Sequence, residues 1–381
     1  MPDAVIVEAV RTPVGKRDGA LSGVHPVDLS AHVLRGLVER TGLDPAEIED
    51  VIWGCVSQAG EQTLDIARNA VLAAGWPETV TGVTVDRQCG SSQQSVHFAA
   101  AGLIAGHHDV VVAGGVESMS RVPMGFSAQG HDPLGEQVLA RYGGVRPNQG
   151  LGAEMIAERW GFSRTQVDEF SLGSHEKAAA AQDSGAFDDQ ILPITTPGGT
   201  VVRADEGVRR GGTLDKLGGL KPAFKADGVV TAGNSSQISD GAAGLLMMTS
   251  EKAARLGLRP IARVHTAALA GDDPVIMLTA PIPATRKALA RSGLSVRDIG
   301  VFEVNEAFAT VPLAWLAELG ADAKALNPHG GAVALGHPLG GSGARLMTTL
   351  VHHMRSAGIR YGLQTMCEGG GQANATVLEL L

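Results

Sequence analysis

Two segments of this chain repeat the same order of secondary-structure signals. VLRGLVERTGLDPAEIEDVIWGCV near the start and ATRKALARSGLSVRDIGVFEVNEA near the end each predict an amphipathic helix, a Gly-Leu stop, a short acidic turn and an apolar strand. Gly42 of the first segment aligns with Gly293 of the second, 251 residues later. A repeat on this scale indicates a duplicated α/β unit.

A second pair of segments supports the duplication at nearly the same spacing. Cys89 stands where a predicted strand turns into a helix, and His337, 248 residues later, precedes the helical stretch GARLMTTLVHHM. Alternating strands and helices predict largely parallel sheets covered by helices, whose ligands bind beyond the carboxyl ends of the strands. In the same alignment Cys55 falls opposite Glu306, so the two halves differ there in a chemically important position.

Length, charge and cysteine content narrow the class of protein. A chain of 381 residues is long for one core, so about two or three domains are expected. The net charge of −9 argues against a general nucleic-acid binder. The opening MPDAVIVEAVRTPVGKR lacks the plan of a signal peptide, and no apolar run reaches the roughly 20 residues of a membrane span, which predicts a cytoplasmic protein without a membrane partner. Three cysteines without metal-ligand spacing indicate reduced thiols and no metal site.

A glycine-rich insert, residues 118–245, separates the two predicted halves. Between Arg203 and Lys225 it holds six basic residues against three acidic ones, the reverse of the whole chain. This local excess favours an anionic ligand, and an ordinary solvated face is the alternative.

Cys89, in VTVDRQCGSSQQ, is the strongest candidate nucleophile. A thiol at a helix N-terminus lies near the positive end of the helix dipole and near unpaired N–H groups, which favour the thiolate and predict a lowered pKa. The small residues of CGSS leave the sulfur approachable. A structural cysteine packed in the core is the alternative interpretation.

His337 lies in NPHGGAVALGHPLGGSG, a motif with six glycines and two prolines. Such a loop lets a ligand or backbone approach closely and can hold an imidazole beside a reacting atom, although a phosphate-cradling turn has a similar composition. His329 in the same motif is a weaker candidate, predicted to make a loop contact.

Cys367 ends a predicted strand in TMCEGGG. A second thiol there can transfer protons, and the glycine N–H groups can stabilise an oxyanion. A tight turn that merely requires glycine is the alternative.

Asn305, in VNEAFA, is predicted to lie where a strand enters a helix. Its amide can orient a water or a carbonyl oxygen, or it can cap the helix. Taken together, the motifs place two thiols, an imidazole and an amide at loop ends of one duplicated fold, and a thiol beside an imidazole is a nucleophile–base pair.

At this point the sequence resembles the thiolase family of acyl-CoA C-acyltransferases. QCGSS, GGVESMSRVP, TAGNSSQISDGAA, VNEAFA, NPHGGAVALGHPLGGSG and CEGGG match its motifs in order and spacing, over essentially the whole chain. The resemblance implies two βαβαβαββ halves that form five α-β-α-β-α layers, plus an inserted loop domain. It assigns residues 1–117, completed by about 246–265, to the N-terminal half, residues 118–245 to the loop domain for coenzyme A, and residues 266–381 to the C-terminal half.

The resemblance also implies a reaction and its residues. Thiolases cleave a 3-ketoacyl-CoA with coenzyme A, or run the reverse Claisen condensation, by a ping-pong route. Cys89 would carry the acyl group, His337 would take its proton, and Cys367 would exchange protons with acetyl-CoA. Asn305, through a water, would form one oxyanion hole with His337, and the N–H groups of Cys89 and Gly369 would form the other.

For the substrate, the resemblance implies that coenzyme A is consumed rather than held as a cofactor, that no metal or redox cofactor is required, and that the enzyme is a homodimer or a homotetramer. Seven residues would line the coenzyme A site: Arg209, Lys216, Phe224, Ala232, Ser236, Met277 and Phe308.

Departures from the family pattern bear on the acyl group. His329 replaces the usual second Asn of the NPHGG stretch, Asn148 and Gln149 stand where short-chain biosynthetic members have His-Met, and Glu368 often corresponds to Ile. Together RQCGSSQQ and QTMCEGGG resemble bacterial thiolases that degrade bulky or ring-derived acyl chains such as sterol products.

Two other functions share the fold. Ketoacyl synthases usually decarboxylate malonyl groups and use one cysteine, so Cys367 argues against them. Some relatives only bind lipids or acyl-CoA, but here Cys89, His337 and Cys367 are all present.

Overall fold

The computed structural model describes residues 2–381, which contain strands and helices in mixed order. The strands are β1 (Val5–Arg11), β2 (Gly15–Lys16), β3 (Asp50–Gly54), β4 (Thr81–Val85), β5 (Val110–Ser118), β6 (Ile194–Thr195), β7 (Val201–Val202), β8 (Ser239–Met248), β9 (Ala262–Gly271), β10 (Val301–Val304), β11 (Tyr361–Glu368) and β12 (Gln372–Leu380). The helices are α1 (Pro26–Thr41), α2 (Ile66–Ala73), α3 (Ser91–Ala105), α4 (Gly135–Arg141), α5 (Gln149–Trp160), α6 (Arg164–Asp183), α7 (Leu214–Gly218), α8 (Ser250–Leu256), α9 (Pro281–Ser292), α10 (Thr310–Leu319), α11 (Ala332–Leu335) and α12 (Ser342–Ala357).

The strand order displays the duplication. One half runs β1-β8-β5-β3-β4 and the other runs β9-β12-β11-β10, and the two meet where Val5 and Ile6 pair with Arg263 and Ala262. The parallel pairs, β3 with β4 and β5 and β10 with β11, lie at the outer end of each half. The other pairs of the main sheet are antiparallel, so the prediction of largely parallel sheets is wrong. The repeat predicted from the sequence is therefore present in the hydrogen-bonded sheet.

Helices α3 and α12 lie between the two halves. Val96 and Leu103 of α3 share one apolar cluster with Met347 and Leu350 of α12 and with strand residues from both halves. Helices α1 and α2 cover the outer face of the first half, and α9 and α10 cover that of the second. This arrangement gives the five layers that the family resemblance implied.

Matching turns end the equivalent helices α1 and α9. Gly42 and Gly293 follow their last residues with φ of 69° and 72°, a left-handed conformation that glycine adopts without strain. The aligned glycines of the two repeats thus have the same structural task.

The segment between β5 and β8 carries α4 to α7 and the small β6-β7 sheet. A buried ion pair anchors it to β1, because both Nη atoms of Arg11 donate to the Asp205 carboxylate, at 2.7 and 3.0 Å. The limits of the loop domain, residues 118–245, stay a prediction. Strand β8 of the main sheet begins at Ser239, before the predicted end of that domain. Across residues 2–381, a helix with the length and apolar character of a membrane span is not found.

Candidate active site

Cys89 lies in the turn between β4 and α3. Gln88 before it has φ of 47°, and Ser91 fixes the turn by donating to the Gln88 carbonyl at 2.6 Å and accepting from the Arg87 N–H at 2.9 Å. The sulfur-bearing residue is only 4% exposed. The sequence folds in this way because a short strand is followed by small residues that pack tightly at the start of a buried helix.

The expectation of a lowered pKa at Cys89 is wrong for the protein without substrate. Burial, aided by the charge of Glu368, raises the pKa of this thiol to about 12. Cys89 also precedes the first helical residue, Ser91, by two positions, so the helix N-terminus does not compensate for lost hydration. The thiol is therefore neutral at rest and needs a base to become a nucleophile.

His337 is a neutral imidazole in a fixed orientation. Burial, with a smaller contribution from Arg345, lowers its pKa to about 3. Its Nδ1 lies 2.6 Å from the Ser342 hydroxyl, which itself donates to the Pro338 carbonyl at 2.8 Å. Because the Ser342 proton is committed to Pro338, Nδ1 carries the imidazole proton and Nε2 is left with a lone pair. A neutral imidazole with a free Nε2 is suited to act as a base.

Asn305 joins His337 to the second thiol. Its Nδ2 lies 3.4 Å from His337 Nε2, and its side chain also forms a hydrogen bond with Cys367 that lowers the thiol pKa slightly. Its Oδ1 is buried without a partner among the described residues. The predicted entry into a helix is wrong, since α10 begins only at Thr310, and Asn305 is not a helix cap.

Cys367 lies near the end of β11 and close to Cys89. Burial raises its pKa well above the usual value, and the charges of Cys89 and Glu368 raise it further. The residues beside the two thiols are in contact, Gly369 with Gln88 and Glu368 with Gly90, so cysteines 278 positions apart in the chain lie in neighbouring turns. Asn305 therefore contacts both His337 and Cys367, and Cys89 lies in the turn next to Cys367.

Gly369 continues from β11 into a glycine turn beside Gln88. A side-chain Cβ at Gly369 would lie 2.9 Å from Gln88 Oε1, so the backbone of this turn packs against the Gln88 side chain. Gly370 and Gly371 have φ of 81° and 75°. The turn thus presents backbone N–H groups next to the Cys89 loop.

A cavity of about 1110 Å³ opens at this point. Gln88 and Gly369 form its inner end, and Phe224, Met277 and Phe308 line it, with the Phe224 and Phe308 rings edge to face at 5.9 Å. Its other wall comes from the segment after β5 and includes Met124, Leu134, Val138, Tyr142, Asn148 and Gln149. The mixture of apolar and amide groups suits a large, mostly apolar ligand with a polar end.

The other candidate residues for coenzyme A lie apart from this cavity. Ala232, Ser236 and Arg209 line a neighbouring cavity of about 490 Å³. Lys216 lies on α7, is exposed, and donates to the Gly211 carbonyl at 3.3 Å. Three of the seven residues thus line the large cavity, three the smaller one, and Lys216 neither.

Several residues of the site carry no sequence signal strong enough to single them out. Ser342 lies in NPHGGAVALGHPLGGSG and Ser239 in TAGNSSQISDGAA, but nothing in those motifs singled them out as contacts of His337. In the structure Ser239 Oγ accepts from the His337 N–H at 3.1 Å, and Ser342 Oγ lies 2.6 Å from His337 Nδ1. His329 lies in a loop, and its Nε2 is 3.0 Å from Nδ1 of His353 on α12. Cys55 is fully buried in the core, whereas Glu306 accepts from Ser174 at 2.7 Å.

Comparison with known proteins gives full-length matches. Residues 4–251 match the family described as Thiolase, N-terminal domain, and residues 258–380 match Thiolase, C-terminal domain. A Mycobacterium tuberculosis protein, steroid 3-ketoacyl-CoA thiolase FadA6, is 50% identical, the alignment covering 100% of this chain and 95% of that protein. An Aliivibrio fischeri 3-ketoacyl-CoA thiolase is 46% identical over 100% of both chains. The crystal structure of a Bacillus anthracis acetyl-CoA acetyltransferase has a TM-score of 0.92 at 42% identity, covering 100% of this chain and 99% of the other.

Proposed function

The chain belongs to the thiolase family, and from this we propose that it catalyses the coenzyme A-dependent thiolytic cleavage of a 3-ketoacyl-CoA into acetyl-CoA and a shortened acyl-CoA, or the reverse condensation. The observation that carries the proposal is that Asn305 contacts both His337 Nε2 and Cys367, with the Cys89 turn next to Cys367 and a large cavity lined by Gln88 and Gly369. The reaction uses side chains and backbone N–H groups of this chain, with coenzyme A as substrate and no other cofactor.

In the first half-reaction His337 Nε2 takes the Cys89 proton while the sulfur attacks the 3-keto carbon. The bond between C2 and C3 breaks, the acyl group stays on Cys89 as a thioester, and the Cys367 thiol protonates the carbanion at C2 to release acetyl-CoA. The neutral resting state of these groups supports this order. Each thiol still carries the proton that it must give, and the neutral His337 can accept one.

In the second half-reaction the Cys367 thiolate takes the proton of an incoming coenzyme A thiol. The resulting thiolate attacks the thioester carbonyl and releases the shortened acyl-CoA, and protonated His337 returns its proton to Cys89. Asn305 and His337 on one side, and the N–H groups of Cys89 and Gly369 on the other, are proposed to stabilise the two oxyanions.

For the substrate, we propose a bulky or ring-derived acyl chain. The cavity of about 1110 Å³, with Met124, Val138 and Tyr142 in its wall, supports a large acyl group. The name of the Mycobacterium tuberculosis relative, a steroid 3-ketoacyl-CoA thiolase, agrees with this class. For coenzyme A, Arg209 would face the nucleotide end with Lys216 near it, and Phe224 would pack by the adenine. Ala232 and Ser236 would line the pantetheine, and Met277 and Phe308 would flank the tunnel.

For the assembly and its location, we propose a homodimer or homotetramer in the cytoplasm. Strand β4 is a sheet edge, and Val83, Phe98 and Ile104 near it are apolar and exposed. The three free cysteines suit a reducing compartment. Sedimentation analysis tests the assembly, and a monomer at micromolar concentration would contradict it.

A panel of 3-ketoacyl-CoA esters, from acetoacetyl-CoA to long and cyclic ones, tests the proposed reaction and its acyl group separately. We expect acetyl-CoA release with every substrate accepted, an acyl mass shift on Cys89, and the highest kcat/KM for a bulky ester. Much faster turnover of acetoacetyl-CoA would refute the bulky acyl group alone. If no ester is cleaved, or Cys89→Ala still gains the acyl mass, the thiolase mechanism is wrong.

A further inference from the structure

Glu368 is a buried carboxyl group directly behind the two thiols. It follows Cys367 in β11, is 1% exposed, and accepts the Asn374 N–H at Oε1 over 3.0 Å, while Oε2 has no partner among the described residues. A Cβ placed on Gly90 would be 1.9 Å from Glu368 Oε1, so the carboxyl group touches the residue that follows Cys89. One side chain therefore borders both sulfur-bearing residues.

A second unpartnered oxygen faces the same space. Asn374 Oδ1 is buried, has no partner among residues 2–381, and lies 2.7 Å from the same Cβ position on Gly90. The Asn374 Nδ2 is engaged with Gln94 Oε1 at 3.1 Å and with His97 Nδ1 at 3.0 Å, which fixes the amide with Oδ1 towards Glu368. The Glu368 carboxyl group and Asn374 Oδ1 thus border the same position beside Gly90, and both groups have a buried oxygen without a donor. A protonated Glu368 supplies a donor at this place.

The charged and titratable groups around Glu368 favour this state. Arg87 is the opposing cation, and it is partly occupied by Gln372 Oε1, 3.0 Å from its Nη1. Burial outweighs Arg87 and raises the pKa of Glu368 to about 8. The pKa of His97 is lowered to about 3, so that ring is neutral, and the remaining neighbours are the two thiols.

We infer that Glu368 is a positioning residue which is held as a carboxylic acid, donates its proton to Asn374, and controls through its charge how readily Cys89 and Cys367 ionise. The inference rests on the proposed function only in that these thiols are the reactive groups. When Glu368 loses its proton, its negative charge opposes both thiolates. Glu117 and Asp86 also act on Cys89, but Glu368 is the carboxyl group with the largest effect on it.

The rate at which iodoacetamide alkylates Cys89, read by mass spectrometry as a function of pH, tests the inference without any acyl-CoA. In the unmodified protein we expect the rise of the rate with pH to flatten above about pH 8, where Glu368 ionises. In Glu368→Gln, which keeps the shape and removes the charge, the rate should rise without that break and exceed the original by about threefold or more near pH 9.5, with equal rates near pH 6.5.

Glu8→Gln is the matched control. Burial also raises the pKa of Glu8, but its charged neighbours are Arg40, Arg355 and Asp189 and not the thiols. Its alkylation profile should equal that of the unmodified protein. A purely structural role for Glu368 would shift the rate equally at every pH, and that outcome overturns the inference.

Infrared spectroscopy of the unmodified protein and of Glu368→Gln provides a second measurement. Burial raises the pKa of both Glu303 and Glu368 to about 8, so carbonyl bands of two protonated carboxyl groups should be present at neutral pH. Part of this intensity should disappear in step with the break in the alkylation profile, and that part should be missing in Glu368→Gln. The inference would also be overturned if the alkylation rate of Cys89 in the unmodified protein rose with pH without a break, or if the infrared transition were absent. Either result would leave the thiolase reaction itself untouched.

Discussion

The Ser342 hydroxyl accepts a hydrogen bond from His337 Nδ1–H over 2.6 Å and donates one to the Pro338 carbonyl over 2.8 Å. This pair determines which nitrogen of the imidazole faces the thiols. Because burial lowers the pKa of His337 to about 3, the ring is neutral, and a neutral ring acts as a base only through the nitrogen without a proton. A serine at the start of α12 therefore prepares Nε2 for the Cys89 proton.

Ser342→Ala should slow acylation of Cys89 while leaving the protein folded. Without the hydroxyl, the imidazole loses the partner that fixes its tautomer and its orientation, and we expect kcat/KM to fall by about 10-fold to 100-fold. Rapid-quench measurement of acyl-enzyme formation checks this. Ser356→Ala, near the end of the same helix, removes a hydroxyl that donates only to the His353 carbonyl and should have no effect. Equal rates in both variants would contradict the role of Ser342.

Cys367→Ala should separate acyl transfer to Cys89 from proton transfer at C2. Cys89 and His337 remain, so acyl transfer from an acyl-CoA to Cys89 should continue, but the group that gives and takes the C2 proton is lost. We expect exchange of the α-protons of acetyl-CoA with deuterated water to fall by about 100-fold or more. Cys55→Ala is the control, because Cys55 is buried in the core among other apolar side chains. Exchange that persists in Cys367→Ala would show that another base serves C2.

Acid should unfold the protein partly by protonating His97. Its folded pKa is lowered to about 3 by burial, whereas the unfolded ring titrates at about 6.5, so the unfolded state binds the extra proton in between. Stability is therefore lost as the pH falls below about 6.5, by about 1.4 kcal/mol per pH unit for each such group.

His97→Gln should reduce that slope. Urea unfolding between about pH 6.5 and pH 4.5 measures this slope. In the variant, the change in the free energy of unfolding per pH unit should be smaller by close to the contribution of one proton, about 1.4 kcal/mol. The amide of glutamine can still reach Thr376 Oγ1, which lies 2.7 Å from His97 Nε2. An unchanged slope would mean that His97 is already protonated in the folded protein.

Much of the fold follows from local signals in the sequence. Gly42 and Gly293 end equivalent helices because the left-handed turn needs glycine, and that requirement is visible in the sequence of both repeats. The helix start after Asn305 was not predictable in this way. The intervening backbone pairs with distant segments, as Asn305 N–H does with the Thr365 carbonyl at 3.1 Å and Ala309 N–H with the Asn234 carbonyl at 3.0 Å. These long-range hydrogen bonds delay α10 until Thr310.

The candidate site was also only partly predictable from the sequence. Cys89, His337 and Cys367 could be named from the sequence because each lies in a short motif and the motifs together resemble those of the thiolase family in order and spacing. The pKa of Cys89 could not, since it depends on the depth of burial and on Glu368, both set by the packing of the two halves. Ser342 and the wall formed by Met124 and Val138 also depend on folded contacts that no local pattern indicates.

Val138→Trp should change which acyl chains the enzyme accepts. Val138 lies on α4 and lines the large cavity, and it is 41% exposed, so an indole can be placed there without disrupting a core. The added bulk takes up space proposed for the acyl chain. We expect kcat/KM for a bulky or cyclic 3-ketoacyl-CoA to fall by about tenfold or more, and that for acetoacetyl-CoA to change by less than about twofold. Val145→Trp is the matched control, because Val145 is 46% exposed in the same segment but does not line the cavity. Equal losses for small and bulky substrates in Val138→Trp would show that this wall contacts coenzyme A or shapes the catalytic groups, and that the acyl chain lies elsewhere.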